Sequence, residues 1–370
     1  MSDSLLHPLT LSIVIPTPSD TSALEETLVS VLENRPDACE VIVALGCDYD
    51  DPWGIAEEVR FVRSPGAGLV GCTNIGIAAS SGDVVHVLAA GWKATPGWTD
   101  AALSRFDDAA TGAVIPVSGE ESAPVPAGVR YKRGGRRVAL ARSGRGTGPR
   151  VGADVRVGAR RPLGVVVGPR LEAGFWRADV VRGGGSCFTS ACGERLADAD
   201  MAVSLAARGL SAVVEEGSRV EIGAEPARER GFRAGLHGER LFWRSLAGRS
   251  LLPALFLHGV EVVRHAVTQA PLGTVPMLLG RFLGALQVGS YLSRYRELRG
   301  WLEDTVTEAT VTEATMATTT ATATTAEPHD VASDVETGST IRIDAGHDVL
   351  EGPRRRSTTP AATEPLRKSA

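Results

Sequence analysis

A chain of 370 residues with 43% hydrophobic and 5% aromatic content can hold one large α/β domain or two small ones. Its net charge of −5 argues against nucleic acid as a general partner. The five cysteines (Cys39, Cys47, Cys72, Cys187, Cys192) are odd in number and lack CxxC spacing, so reduced structural thiols are expected. The start, MSDSLLHPLTLSIVIP, lacks the basic segment and cleavage site of a signal peptide, so a cytoplasmic protein is expected.

Leu11 to Ile15 is an aliphatic run ended by Pro16-Thr17-Pro18, which suits a buried first strand. Ser22-x-x-Glu25 reads as a capping box for a helix that places Leu24, Leu28, Val31 and Leu32 on one face and stops before Pro36. Val41 to Leu45 is the second strand, and Phe61 and Val62 begin a third, broken by Pro65, Gly66 and Gly68. Leu69 to Ser80 carries small and aliphatic residues at helical spacing, with Gly82-Asp83 expected as its C′ glycine and turn. Val84 to Leu88 is a buried-strand pattern, followed by the turn Pro96-Gly97-Trp98. Strands alternating with helices make a doubly wound, mostly parallel sheet, with ligand chemistry at the strand ends.

A helix over Asp100 to Phe106 and a strand over Ala113 to Val117 follow. Residues 118–161 then read as a basic, flexible insertion. Arg130, Lys132, Arg133, Arg136, Arg137, Arg142, Arg145, Arg150, Arg156, Arg160 and Arg161 are opposed there, from residue 130 onward, by Asp154 alone. Two readings stand: steering of a diphosphate or anionic acceptor, and a basic surface loop without a ligand. Strand signals return at Gly164 to Gly168, Ala212 to Val214 and Arg219 to Ile222.

Residues 231–302 form a C-terminal helical region. Its apolar runs, Leu251 to Leu257, Val260 to Val267 and Val275 to Leu292, are interrupted by Glu261, Arg264, His265, Pro271, Pro276 and Arg281. None reaches a membrane-spanning length, so helices packed on the domain or lying on a membrane face are expected. His258 and His265, seven apart, suit packing better than a metal site. From residue 303 to 370 a Thr/Ala-rich tail predicts disorder, with a partner or none.

The run from Gly68 to Gly82, with Asn74 and Gly76, the strand Val84 to Leu88 and the Pro96-Gly97-Trp98 turn, resembles inverting family-2 glycosyltransferases. The resemblance covers about residues 10–245 and implies a GT-A-like α/β fold, with residues 1–230 as the nucleotide-sugar domain. It implies donor contacts at Pro16, Thr17, Asp48, Gly68, Asn74 and Gly76. The stretch from Leu171 to Gly185 resembles the acceptor-side segment and implies Glu172, Phe175 and Trp176. Leu196-Ala-Asp-Ala-Asp resembles the Glu-Asp-x-Asp helix, which implies Asp198 as catalytic base and Asp200 as its acceptor-side companion.

The chain departs from the family pattern in several places. Where the family carries its DxD aspartates stand Ala89, Ala90 and Gly91, which offer no side-chain oxygen to a divalent cation. At the end of the second strand Leu45-Gly46-Cys47 replaces a base-binding aspartate, leaving Asp48, Asp50 and Asp51 just beyond. Ala197 replaces a glutamate, Ser204 an arginine, and Glu221 a histidine.

Two functions remain open. One is transfer of a sugar from a nucleoside-diphosphate donor to an envelope polysaccharide or other glycan acceptor, without a metal cofactor, at or near the inner membrane face. The other is a catalytically inactive pseudoenzyme serving as a binding or regulatory module.

Overall fold

The computed structural model describes residues 9–141, 164–183, 188–223, 229–305 and 307. They lie within one compact unit, Met1–Thr318, so the 231–302 helices belong to the same body as the preceding sheet. Cys187, the arginines at 142, 145, 150, 156, 160 and 161, and the tail from 308 onward lie outside the described residues.

The first half alternates as expected: β1 (Leu11–Thr17), α1 (Thr21–Asn34), β2 (Cys39–Leu45), β3 (Arg60–Arg63), α2 (Leu69–Ala79), β4 (Val84–Leu88). Then come β5 (Lys93–Ala94), α3 (Asp100–Ser104), β6 (Thr111–Ser118), β7 (Val125–Pro126), β8 (Gly128–Tyr131) and β9 (Arg137–Ala139). The second half holds β10 (Val166–Pro169), β11 (Ala173–Arg177), α4 (Ala178–Arg182), α5 (Ala197–Ala207) and β12 (Ser211–Glu221). It ends with α6 (Gly231–Arg244), α7 (Leu251–Gln269), α8 (Thr274–Leu286) and α9 (292–305).

The main sheet runs β3-β2-β1-β4-β11-β6-β12-β5, with β7 on β6. The pairs β3–β2, β2–β1, β1–β4 and β6–β12 are parallel, whereas β11 is antiparallel to both β4 and β6. Alternate residues serve opposite faces. Ile13, Ile15, Val43, Leu88 and Phe175 pack with α1, while Val14, Ile42, Val87 and Trp176 pack under α2, α4 and α5. With both faces covered, the parallel strands read as continuous apolar runs, which is why they were legible.

Local chemistry differs from expectation at several points. The N-cap of α1 is Asp20, whose carboxylate accepts from the Ala23 N–H at 3.0 Å, two residues before the Ser22 box. Aspartate caps as well as serine and its charge suits the helix dipole. Gly82 is not a left-handed cap. α2 ends with Ser80 in extended conformation, and a Cβ on Gly82 would lie 2.7 Å from Ser12 Oγ, so a close strand approach demands the glycine. Residues 125–139 are not a flexible loop but three short strands. β8, β9 and β10 form a second sheet in the order β10-β8-β9. The signals at 212–214 and 219–222 are one strand, β12, with a register shift between Glu215 and Arg219.

Candidate active site

β1 lies between β2 and β4, and the chain leaves it in opposite directions on its two sides, so the crevice beyond Thr17, Leu45 and Leu88 is the switch point of the sheet. The segment after β4 is pinned there through its backbone. The Ala89 N–H donates to Glu172 O (2.8 Å), Ala90 to Pro16 O (3.2 Å), and Gly91 to Ala23 O (3.0 Å) and Thr27 Oγ1 (2.8 Å). Gly91 needs its φ of +92°, and Gly223 passes so close that a Cβ would fall 2.4 Å from Gly91 O. This segment supplies no carboxylate. Among the described residues no group of three or more His, Cys, Asp or Glu side chains could hold a metal ion. Ala89, Ala90 and Gly91 have no side-chain oxygen, so these three residues do not themselves fit a divalent cation.

The second sheet builds the other wall. β10 packs on α5 so closely that a Cβ on Gly168 would lie 2.8 Å from Ala202 Cβ. That contact places edge strand β9 beside the first turn of α5. Arg137 reaches across and holds Asp198 on both oxygens, Nε to Oδ1 at 2.8 Å and an Nη to Oδ2 at 2.5 Å. Both side chains are mostly buried.

The turn Arg170-Leu-Glu-Ala173 joins β10 to β11 and brings Glu172 to the same place, its carbonyl on Ala89 and its carboxyl near Asp198. Burial first, then the Asp198 charge, push the Glu172 carboxyl above its ordinary value, although Arg137 and Arg170 pull the other way. Glu172 Oε2 is buried without a hydrogen-bond partner among the described residues. The site thus contains two carboxylates in unlike environments. One is clamped by a guanidinium and the other is desolvated and half-satisfied, the arrangement that separates acid from base roles.

The other expected contacts distribute unevenly. Pro16 and Thr17 do stand at the end of β1, with Thr17 fully buried. Asp48 is exposed just beyond β2, 3.9 Å from Arg63. Gly68 is the N-cap of α2 and lies under the Glu194 carboxylate, whose Oε1 would be 1.8 Å from a Cβ at 68. Asn74 is engaged elsewhere: its amide donates to Phe188 O (2.8 Å) and accepts from Phe188 N–H (3.0 Å). Gly76 is a packing glycine, since a Cβ there would lie 2.3 Å from Val14 Cγ1.

Three residues expected on the acceptor side are buried. Phe175 and Trp176 have no exposed surface and fill the cores on opposite sides of the sheet. Asp200, two residues and about 200° around the helix from Asp198, faces away from the site. It accepts from Arg244 (3.0 and 3.2 Å) and Arg294 (3.2 Å), and Arg294 also bonds Ser204. Asp200 therefore fastens α6 and α9 to α5.

Arg137 is the site residue that sequence reasoning did not separate from its neighbours. It was one arginine in a basic run, and only the pairing of β9 with β8 distinguishes it.

A family model described as Glycosyl transferase family 2 matches residues 12–149. Among solved structures, S. aureus TarS 1-349 is similar at a TM-score of 0.50 and 11% identity, over 81% of this chain and 92% of that one. The mannosyltransferase PcManGT from Pyrobaculum calidifontis, in complex with GDP-Man and Mn2+, gives 0.43 and 15%, over 82% and 87%. GalNAc-T7 with UDP, GalNAc and Mn2+ gives 0.47 and 14%, over 77% and 58%. No curated protein matches the chain. The likeness shows a GT-A-like fold.

Proposed function

Starting from a chain whose residues 12–149 carry the glycosyltransferase family 2 pattern on a GT-A-like sheet, we propose that it transfers a sugar from a nucleoside-diphosphate donor to a hydroxyl of a glycan acceptor. The observation that supports this most is the pairing of Glu172 and Asp198 beside the ends of β4 and β11, bracketed by Arg137.

In the proposed step the acceptor oxygen bonds to the anomeric carbon as the bond from that carbon to the diphosphate breaks. The hydroxyl proton passes to a carboxylate, and the diphosphate leaves with the bonding electrons. Asp198 is the base that the family pattern suggests, but taking the proton requires Arg137 to release it. Glu172 has a free oxygen and a raised proton affinity, so it is the acceptor of the proton if the clamp stays closed. Arginines of the 118–161 insertion would then meet the charge growing on the diphosphate, in a metal-independent reaction.

The alternative, a binding module without transfer activity, is favoured by one specific observation: both Asp198 oxygens are occupied by Arg137. Titration calorimetry with UDP, GDP and dTDP sugars, with and without Mn²⁺, followed by assay of diphosphate release, separates the two. Metal-independent binding and release, abolished by Glu172→Gln or Asp198→Asn, supports transfer. Binding without release in any condition, or no binding to any donor, overturns transfer and supports the module.

A further inference from the structure

The C-terminal helices are built inside out. α8 lies against α6 through glycines: a Cβ on Gly235 would fall 2.0 Å from Met277 O, and one on Gly280 2.1 Å from Phe232 O. The ionisable groups of the hairpin turn inward or neutralise one another. Glu239 of α6 accepts from Trp243 Nε1 (2.8 Å), His258 Nε2 (2.9 Å) and Arg281 (2.9 Å). Arg281 also reaches His265, and Glu261 pairs with Arg264.

Large apolar side chains point the other way. Leu252 is 80% exposed, Phe256 72%, Val267 71%, Leu272 89%, Val275 73% and Phe282 61%. Such side chains recur along α7, the α7–α8 turn and α8, and exposed apolar groups gathered in this way mark an interaction surface. Among the described residues no helix is long and apolar enough to cross a membrane.

The rim of this face is basic. The β8–β9 turn abuts α7, since a Cβ on Gly134 would lie 2.7 Å from Leu257 O, and the turn carries exposed Lys132 and Arg133. Exposed Arg233 follows exposed Phe232 at the start of α6. Exposed Arg296 sits one turn beyond Leu292 on α9, next to Tyr295. A protein partner would meet a polar and charged rim with both signs in the facing surface. An apolar face that carries the Glu261–Arg264 ion pair on α7 and is edged by cations instead matches the boundary between acyl chains and anionic headgroups.

We propose that the α7–α8 hairpin lies flat in the headgroup–acyl boundary of an anionic bilayer, with Lys132, Arg133, Arg233 and Arg296 on the lipid phosphates. The inference does not depend on sugar transfer.

Flotation of the full chain with vesicles of phosphatidylcholine, alone or mixed with phosphatidylglycerol, tests it. The protein should float with the mixed vesicles, and about 1 M NaCl, where the Debye length is about 3 Å, should reduce that binding to the level seen with phosphatidylcholine alone. Leu252→Glu with Phe282→Glu, both at exposed positions, should weaken binding about tenfold or more. Lys132→Glu with Arg133→Glu should weaken binding to the mixed vesicles and spare what binding there is to phosphatidylcholine. Circular dichroism of each variant should match the parent.

No flotation, or flotation indifferent to Leu252→Glu/Phe282→Glu, overturns the proposal. Equal binding to both vesicles overturns the headgroup contacts. A dimer that fails to float and that Leu252→Glu/Phe282→Glu splits would make the face a contact between copies of the chain, and would also overturn it.

Discussion

Arg137 and Asp198, 61 residues apart in sequence, form a two-point contact in which each carboxylate oxygen has its own guanidinium nitrogen. β9 and the first turn of α5 meet there, so the pair joins the small sheet to the helix that borders the site.

Removing one partner leaves a buried charge uncompensated. Arg137→Ala should lower unfolding free energy by about 3–5 kcal/mol, and Arg137→Met with Asp198→Leu should recover most of that loss. Urea unfolding of the three variants checks it. An Arg137→Ala protein as stable as the parent would mean that the pair is open in solution.

Glu172 provides a signature in the pH dependence of stability. Its folded proton affinity is raised, so the stability it contributes is complete below the ordinary carboxylate range and is lost as pH climbs through the raised value. Glu172→Gln removes that loss. The variant should gain on the parent progressively as pH rises above the ordinary carboxylate range in urea unfolding. If Glu172 takes the acceptor's proton, the acid limb of kcat/KM should also lie above the ordinary carboxylate range.

His86 should act in the opposite sense. It is fully buried, stacked 3.7 Å from the Phe175 ring, and held by Gly174 O at Nδ1 (3.1 Å), and burial lowers its pKa to about 3. Below about pH 6.5 the unfolded chain takes up a proton that the folded chain refuses, so stability falls by up to about 1.4 kcal/mol per pH unit. His86→Gln should flatten that acid slope. In NMR, His86 should keep a neutral ring protonated at Nδ1 down to about pH 4.

Phe175 and Trp176 separate a packing role from a binding role. Each →Ala variant should lose about 3–5 kcal/mol in stability. The KM for any acceptor should not change at temperatures where the variant stays folded. Thermal unfolding and steady-state kinetics read the two effects independently.

These residues also mark where sequence reasoning stops. The run from β1 to β4 was legible because buried parallel strands and a glycine-broken loop leave local signals. A small or aromatic residue at a family position carries no such mark of its direction. Gly76 serves Val14, Asn74 serves Phe188 and Trp176 serves the core, although each could equally have faced a ligand. That Ala89, Ala90 and Gly91 offer no side-chain oxygen needed only the sequence. The use of Arg137 needed β9 paired to β8, a contact that no local pattern encodes. In the hairpin the apolar spacing was visible, but the turning of Glu239, His258 and Arg281 toward one another was not.

The antiparallel seat of β11 bears on how the chain can be divided. β4 reaches β6 only through β11, and β6 takes its other long partner, β12, from residues still later in the sequence. A fragment cut after residue 141 would contain nearly all of the family-matched stretch, yet β4 would be a naked edge and β6 would lack its two long neighbours. Such a piece should aggregate when expressed alone, and it should be rescued by co-expression with residues 164–305 through strand complementation.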